Sequence, residues 1–145
     1  MNRIVIGTDG SADALQGVRE GVELADEVGA AVTFVSVRTP PAAVWGAPVY
    51  QAQLDTHTQI ARDAIDEALA IAEDAGVEAD YELLDGPAAD AISSVAHTHD
   101  ADLIVVGSRG RGAVRGALFG SVSKALVSHA DRPVLVVKEK KPVAA

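Results

Sequence analysis

The segment GSRGRGAVRGALFGSVS, Gly107 to Ser123, sets five glycines within fourteen residues and places Arg109, Arg111 and Arg115 among them. Glycine at 107 and 110 lets the backbone turn and lets a ligand approach main-chain N–H groups without meeting a Cβ. Gly120, Ser121, Val122 and Ser123 offer N–H groups and two hydroxyls where a helix begins and its dipole favours an anion. With Ser108 and Arg109 in the first turn, the chemistry on offer is phosphate binding between two anchoring ends. A nine-residue arm, Arg111 to Phe119, joins them. The plainer role for the same residues is a surface loop shaped by glycine, with Ser121 as a helix cap.

Two common phosphate patterns do not apply. No glycine in the chain precedes a lysine, so there is no P-loop. Gly110, Gly112 and Gly116 read GxGxxxG, one residue too long for a dinucleotide fingerprint, and they follow the fourth expected strand instead of the first. Asp9, in TDGS, has three open roles. Its carboxylate would face a sugar and base, or hold a divalent cation through water, or it would simply close the turn after the first strand.

Other candidates carry less. His97 and His99 are two residues apart, which on a helix points them about 200° from each other and argues against a shared metal. Cysteine is absent, which removes disulfides and thiolate chemistry, and no GxSxG elbow occurs. Acidic pairs such as Asp66 with Glu67 read as the wet face of a helix. Trp45 and Tyr50 read as packing on their own domain, with cover over a ligand as the alternative. No catalytic residue is assigned, and no metal ligand beyond Asp9 acting through water.

These residues need elements to position them. RIVIGTD (3–9), AAVTFVSV (30–37), VEADYELL (77–84), ADLIVVG (101–107) and RPVLVVK (132–138) read as aliphatic strands. Between them lie helical stripes: Leu15, Val18, Val22 and Ala25, ended by Gly29; Ile60, Ala64, Ala68 and Ile71 in a helix from near Gln51 to Ala75; Ala88, Ala91, Ile92 and Val95 after Pro87; and Val122, Ala125, Leu126 and His129. Segment 38–50, with three prolines, reads as a loop. The alternation predicts an α/β domain spanning 1–145, an open parallel sheet with helices on both faces, and a flexible tail over 138–145. If the first and fourth strands are neighbours, the ligand crevice falls between TDGS and GSRG.

Aliphatic residues supply the core, since aromatics are only 3% of 145 residues. The apolar runs are too short to span a bilayer and no signal-peptide pattern is present, which places the expectation in the cytoplasm. Net charge is −9, which excludes nucleic acid as a natural partner. Four lysines against 21 acidic residues would suit a cytoplasm of high salt.

GxxG, nine residues, then G[ST], here Gly107 to Gly110 and Gly120 to Ser121, resembles the ATP-binding signature of the universal stress protein family. The resemblance extends over IVIGTDGS, FVSV, VVGSRGRG, GSVSKALVSHA and RPVLVV. It implies a Rossmann-like sheet of strand order 3-2-1-4-5 and a homodimer in which the last strands of two subunits meet. It also implies ATP, or another adenine nucleotide, with Mg2+ or Mn2+. In that site the backbone around Asp9 and Val37 faces the nucleoside, Thr8 and Val106 border the pocket, Gly107 and Gly110 approach ribose and phosphate, and Gly120 to Ser123 hold the phosphates. The expected function is a dimeric, nucleotide-dependent stress sensor or regulator with at most slow hydrolysis, serving an unidentified protein partner. The alternative is an interaction module that binds no nucleotide and acts through its acidic surface. A flavin-dependent redox domain is set aside, since TDGSADA after the first strand is too acidic for a phosphate.

Overall fold

The computed structural model describes residues 1–111 and 118–139. Most of the arm, with Arg115, and residues 140–145 of the expected tail lie outside the described residues. Five strands and four helices alternate: β1 (Arg3–Gly7), α1 (Ala12–Val28), β2 (Ala31–Arg38), α2 (Ala47–Asp74), β3 (Ala79–Asp85), α3 (Ala88–Thr98), β4 (Leu103–Gly107), α4 (Ser121–His129) and β5 (Val134–Val137). The strands form one parallel sheet in the order β3-β2-β1-β4-β5.

Alternate residues of the central strands feed two cores, as the period of two in a strand requires. Ile4, Ile6, Val32, Phe34 and Val105 pack with α1 and α2 on one face. Val5, Val35, Ile104 and Val106 pack with α3 and α4 on the other. The central strands are therefore mainly aliphatic on both faces. Phe34, at 0% exposure, is the one aromatic in this core.

Helix ends follow local chemistry. The Ser11 hydroxyl accepts the Ala14 N–H at 3.4 Å to start α1, and Gly29, at φ 73°, ends it in the left-handed conformation. Helix α2 begins at Ala47, four residues before the expected start, because Gly46 turns the chain at φ 89° and Pro48 suits a first turn. Its buried face keeps Ala64 and Ala68 of the expected stripe and differs at its ends. Ala61, Ala64, Ile65, Ala68 and Ala72 are buried, Ile71 packs partly buried against this core, and Ile60 is 37% exposed. The small side chains of this face let α2 lie close on β2 and β3.

The order of strands sets the site. From β1 the chain crosses to β2 on one side and later returns to β4 on the other, so the helices diverge above the carboxyl ends of β1 and β4. Strand β1 stops at Gly7, which frees Thr8 and Asp9 to form a turn at that opening.

Candidate functional site

A cavity of about 530 Å³ opens at the carboxyl ends of β1, β2 and β4. The structure brings all twelve expected site residues to its lining: Thr8 and Asp9 after β1; Val37 on β2; Val106, Gly107, Ser108, Arg109 and Gly110 at the end of β4; and Gly120, Ser121, Val122 and Ser123 at the start of α4. It adds residues that sequence reasoning did not place there, chiefly Val35, Ala88, Ile92, Phe119 and Lys124. Lys124 was legible as the residue following GSVS in the first turn of a helix. Ile92 and Val35 had no such signal, since they read as ordinary core.

The β1 turn is fixed by its own side chains. Thr8 N–H donates to the Val35 carbonyl at 2.9 Å, and the Thr8 hydroxyl accepts the Gly10 N–H at 3.2 Å. Asp9 Oδ1 accepts the Ser11 N–H at 3.0 Å. Its other oxygen, Oδ2, accepts the Arg111 N–H at 2.7 Å, and Arg111 Nε donates to the Asp9 carbonyl at 2.8 Å. Asp9 therefore closes the turn, and the same carboxylate ties down the start of the arm.

The β4 turn rests on a carboxylate that sequence reasoning missed. Asp13, at 4% exposure, accepts the Ser108 hydroxyl at 2.8 Å and Arg109 Nε at 3.1 Å on one oxygen, and the Glu139 N–H at 2.9 Å on the other. Burial pushes this carboxyl up. Hydrogen bonds from Ser108, Arg109 and Glu139 outweigh that and hold it below its ordinary value. In sequence Asp13 was one more acid in a first helical turn. Glu139, within the expected flexible tail, is held by this bond, and Lys138 sits over the Phe119 ring with Nζ 5.7 Å from its centroid.

The glycines also allow close approach within the chain. A Cβ on Gly107 would lie 2.5 Å from the backbone carbon of Asp13 and 2.6 Å from the Ala14 nitrogen, so glycine here lets β4 touch α1. A Cβ on Gly110 would strike the Asp9 carboxylate. Gly120 meets nothing nearer than the Arg109 Cα at 3.4 Å, and its N–H donates to the Ser108 carbonyl at 2.6 Å.

Two of the expected hydroxyls are likewise committed. Ser108 donates to Asp13, and Ser123 donates to the carbonyls of Ser108 at 2.8 Å and Gly120 at 3.1 Å. Ser121 is exposed at the rim. The N–H groups of Ser121, Val122 and Ser123 precede the first backbone bond of α4, from Lys124 N–H to the Gly120 carbonyl at 3.1 Å, and Gly120 has no side chain to cap them. Unsatisfied donors thus sit beside Arg109, Arg111 and Lys124 at one end of the cavity, while Val35, Val37, Ala88 and Ile92 line it with aliphatic surface. The arrangement suits a ligand with an anionic end and a flat or apolar body.

A divalent cation does not fit the donors. Asp9 is the sole acid in the lining, and both its oxygens already accept N–H groups. Among the described residues no three His, Cys, Asp or Glu side chains gather to hold a metal ion. His97 and His99 point to separate partners, Asp131 at 3.3 Å and Glu82 at 3.0 Å. Trp45, expected to pack on the domain, is 75% exposed. Among the described residues no helix is long and apolar enough to cross a membrane.

Comparison with known proteins agrees with this architecture. A universal stress protein of Methanocaldococcus jannaschii is 34% identical over 143 residues, covering 96% of this chain and 83% of its own. The structure of UspA from Lactobacillus plantarum superimposes with a TM-score of 0.82 at 26% identity, covering 94% of this chain and 97% of that one. A universal stress protein solved in complex with cAMP gives a TM-score of 0.73 at 27% identity, over 96% and 98% of the two chains. The family model described as "Universal stress protein family" matches residues 1–138, and the chain belongs to that family.

Proposed function

We propose that this protein binds an adenine nucleotide in the cavity and acts in the cytoplasm as a nucleotide-dependent stress regulator. The observation that carries the reading is the placement of three unsatisfied N–H groups of α4 beside Arg109, Arg111 and Lys124, opposite the aliphatic wall of Val35, Val37 and Ile92. Phosphate would take the N–H groups, and the base would lie against the valines. The complex of a related stress protein with cAMP supports the ligand class. ATP with Mg2+ or Mn2+ is the form the resemblance implies, though the described side chains lining the cavity gather no ligand set for the ion. With no residue assigned among the described ones to orient an attacking water, turnover by this site would be slow at most.

The dimer expected through the last strand is part of the same proposal. β5 is an edge strand, Leu135 on it is 39% exposed, and Val127 on the adjoining α4 is 63% exposed. Pairing of two β5 edges would cover both.

Calorimetric titration with ATP, AMP and cAMP tests the nucleotide reading, with dissociation constants in the micromolar range expected. Heats no larger than dilution for all three would leave the interaction module as the better account. Sedimentation of the same sample tests the dimer, and a monomer at all concentrations would remove it.

A further inference from the structure

The cavity's charges are unbalanced in a way that bears on what accompanies the ligand. Arg109, Arg111 and Lys124 line it against the single carboxylate of Asp9, in a protein whose net charge is −9. The residues outside the described ones, 112–117 and 140–145, bring no acid or histidine by sequence, only Arg115, Lys140 and Lys141. No further carboxylate is therefore available from them to hold a cation at this opening.

Asp9 is already engaged. Its two oxygens accept Ser11 N–H at 3.0 Å and Arg111 N–H at 2.7 Å. The Cα of Gly110 packs so closely on this carboxylate that a Cβ has no room. A cation on Asp9 would sit against Arg111, a positive group already tied to the same residue. What the bonds accomplish instead is to fix the arginine. Arg111 is held through its backbone N–H and its Nε, the latter at 2.8 Å from the Asp9 carbonyl, which leaves its terminal nitrogens without a partner among the described residues. Arg109 is held in the same fashion, by Nε on Asp13 at 3.1 Å. Both guanidinium groups are thus anchored by one nitrogen with the fork left over, the arrangement that receives phosphate oxygens two at a time.

Resting on the nucleotide reading above, we infer that the cavity takes its nucleotide free of a divalent cation, with Arg109, Arg111 and Lys124 balancing the phosphates and Asp9 serving as the clamp that sets Arg111. A magnesium ion on the phosphates would neutralise the charge these three cations attract, so the bare nucleotide binds at least as well as its complex. Asp9 is a positioning residue in this account.

The test is calorimetry of the full chain with ATP and with AMP, in about 1 mM EDTA and in about 5 mM MgCl2, conditions chosen so that ATP is nearly all free or nearly all complexed. The expected result is an affinity for ATP in EDTA equal to that in magnesium within about threefold, or tighter. ATP binding more than about threefold weaker in EDTA overturns the inference and leaves the nucleotide reading standing, whereas no binding in either condition overturns both. Asp9→Asn and Arg111→Gln should each weaken ATP by about three- to tenfold in both conditions, and the double variant by no more than either alone, because the two act as one unit. A loss with Asp9→Asn confined to magnesium, or Mg2+ binding to the nucleotide-free protein that this variant abolishes, would mark Asp9 as a cation ligand and end the proposal.

Discussion

Asp13 holds three parts of the chain on two oxygens: Ser108 and Arg109 from the turn after β4, and Glu139 from the end of β5. Its carboxyl is held below the ordinary value, so its contribution to stability is present above about pH 4 and is lost as pH falls through the lowered folded value. Asp13→Asn should be about 1–3 kcal/mol less stable than the native chain at pH 7 by urea denaturation, with the gap closing below about pH 4. A gap that stays constant down to about pH 3 would contradict the role assigned to the charge. The same residue marks where sequence reading stopped. The motif residues Gly107 to Gly110 and Gly120 to Ser123 were found because their types are unusual at that spacing, and they line one cavity. Asp13 is an ordinary acid in an ordinary position, and only the fold buries it. The glycines were found for an incomplete reason, because sequence shows that a Cβ is missing but not which neighbour occupies its place.

Among the elements, α2 departs most from the expected pattern. Of its expected stripe Ala64 and Ala68 are buried as read, but Ile60 is not, and Ala61, Ile65 and Ala72 complete the buried face. Ala68 is fully buried and Ile60 is partly exposed. Ala68→Leu should therefore cost about 1–3 kcal/mol by overpacking, while Ile60→Ala should cost less than about 1 kcal/mol. Equal losses in denaturant would put Ile60 back on the buried face. Strands were easier to read, because burial on both faces makes the interior of β1, β2 and β4 mainly aliphatic. Their ends were less legible. The RIVIGTD run continues past Gly7, yet hydrogen bonding passes there from the ladder to the Thr8 and Asp9 turn.

Over the molecule as a whole, three described arginines outside the cavity, Arg3, Arg38 and Arg132, sit beside carboxylates. Arg38 and Asp85, register partners on β2 and β3, bond through two nitrogens at 2.7 Å each, and Arg132 meets Asp100 at 2.9 Å. Such exposed pairs contribute little individually. The remaining acids are in excess, and their mutual repulsion opposes folding at low ionic strength. The melting temperature should rise by roughly 5 °C or more between about 0.1 M and about 2 M KCl as screening removes that repulsion. A flat or falling trend would detach the acidic composition from high salt.

The wall of the cavity draws on segments far apart in sequence. Thr8 and Asp9 come from the turn after β1, and Ser121 and Lys124 from α4. During synthesis the first hundred residues can place β1, β2 and β3 in register, but the α4 side of the cavity does not exist until that helix has left the ribosome. Under the proposed function, nucleotide added to a chain truncated before α4 should find nothing to bind.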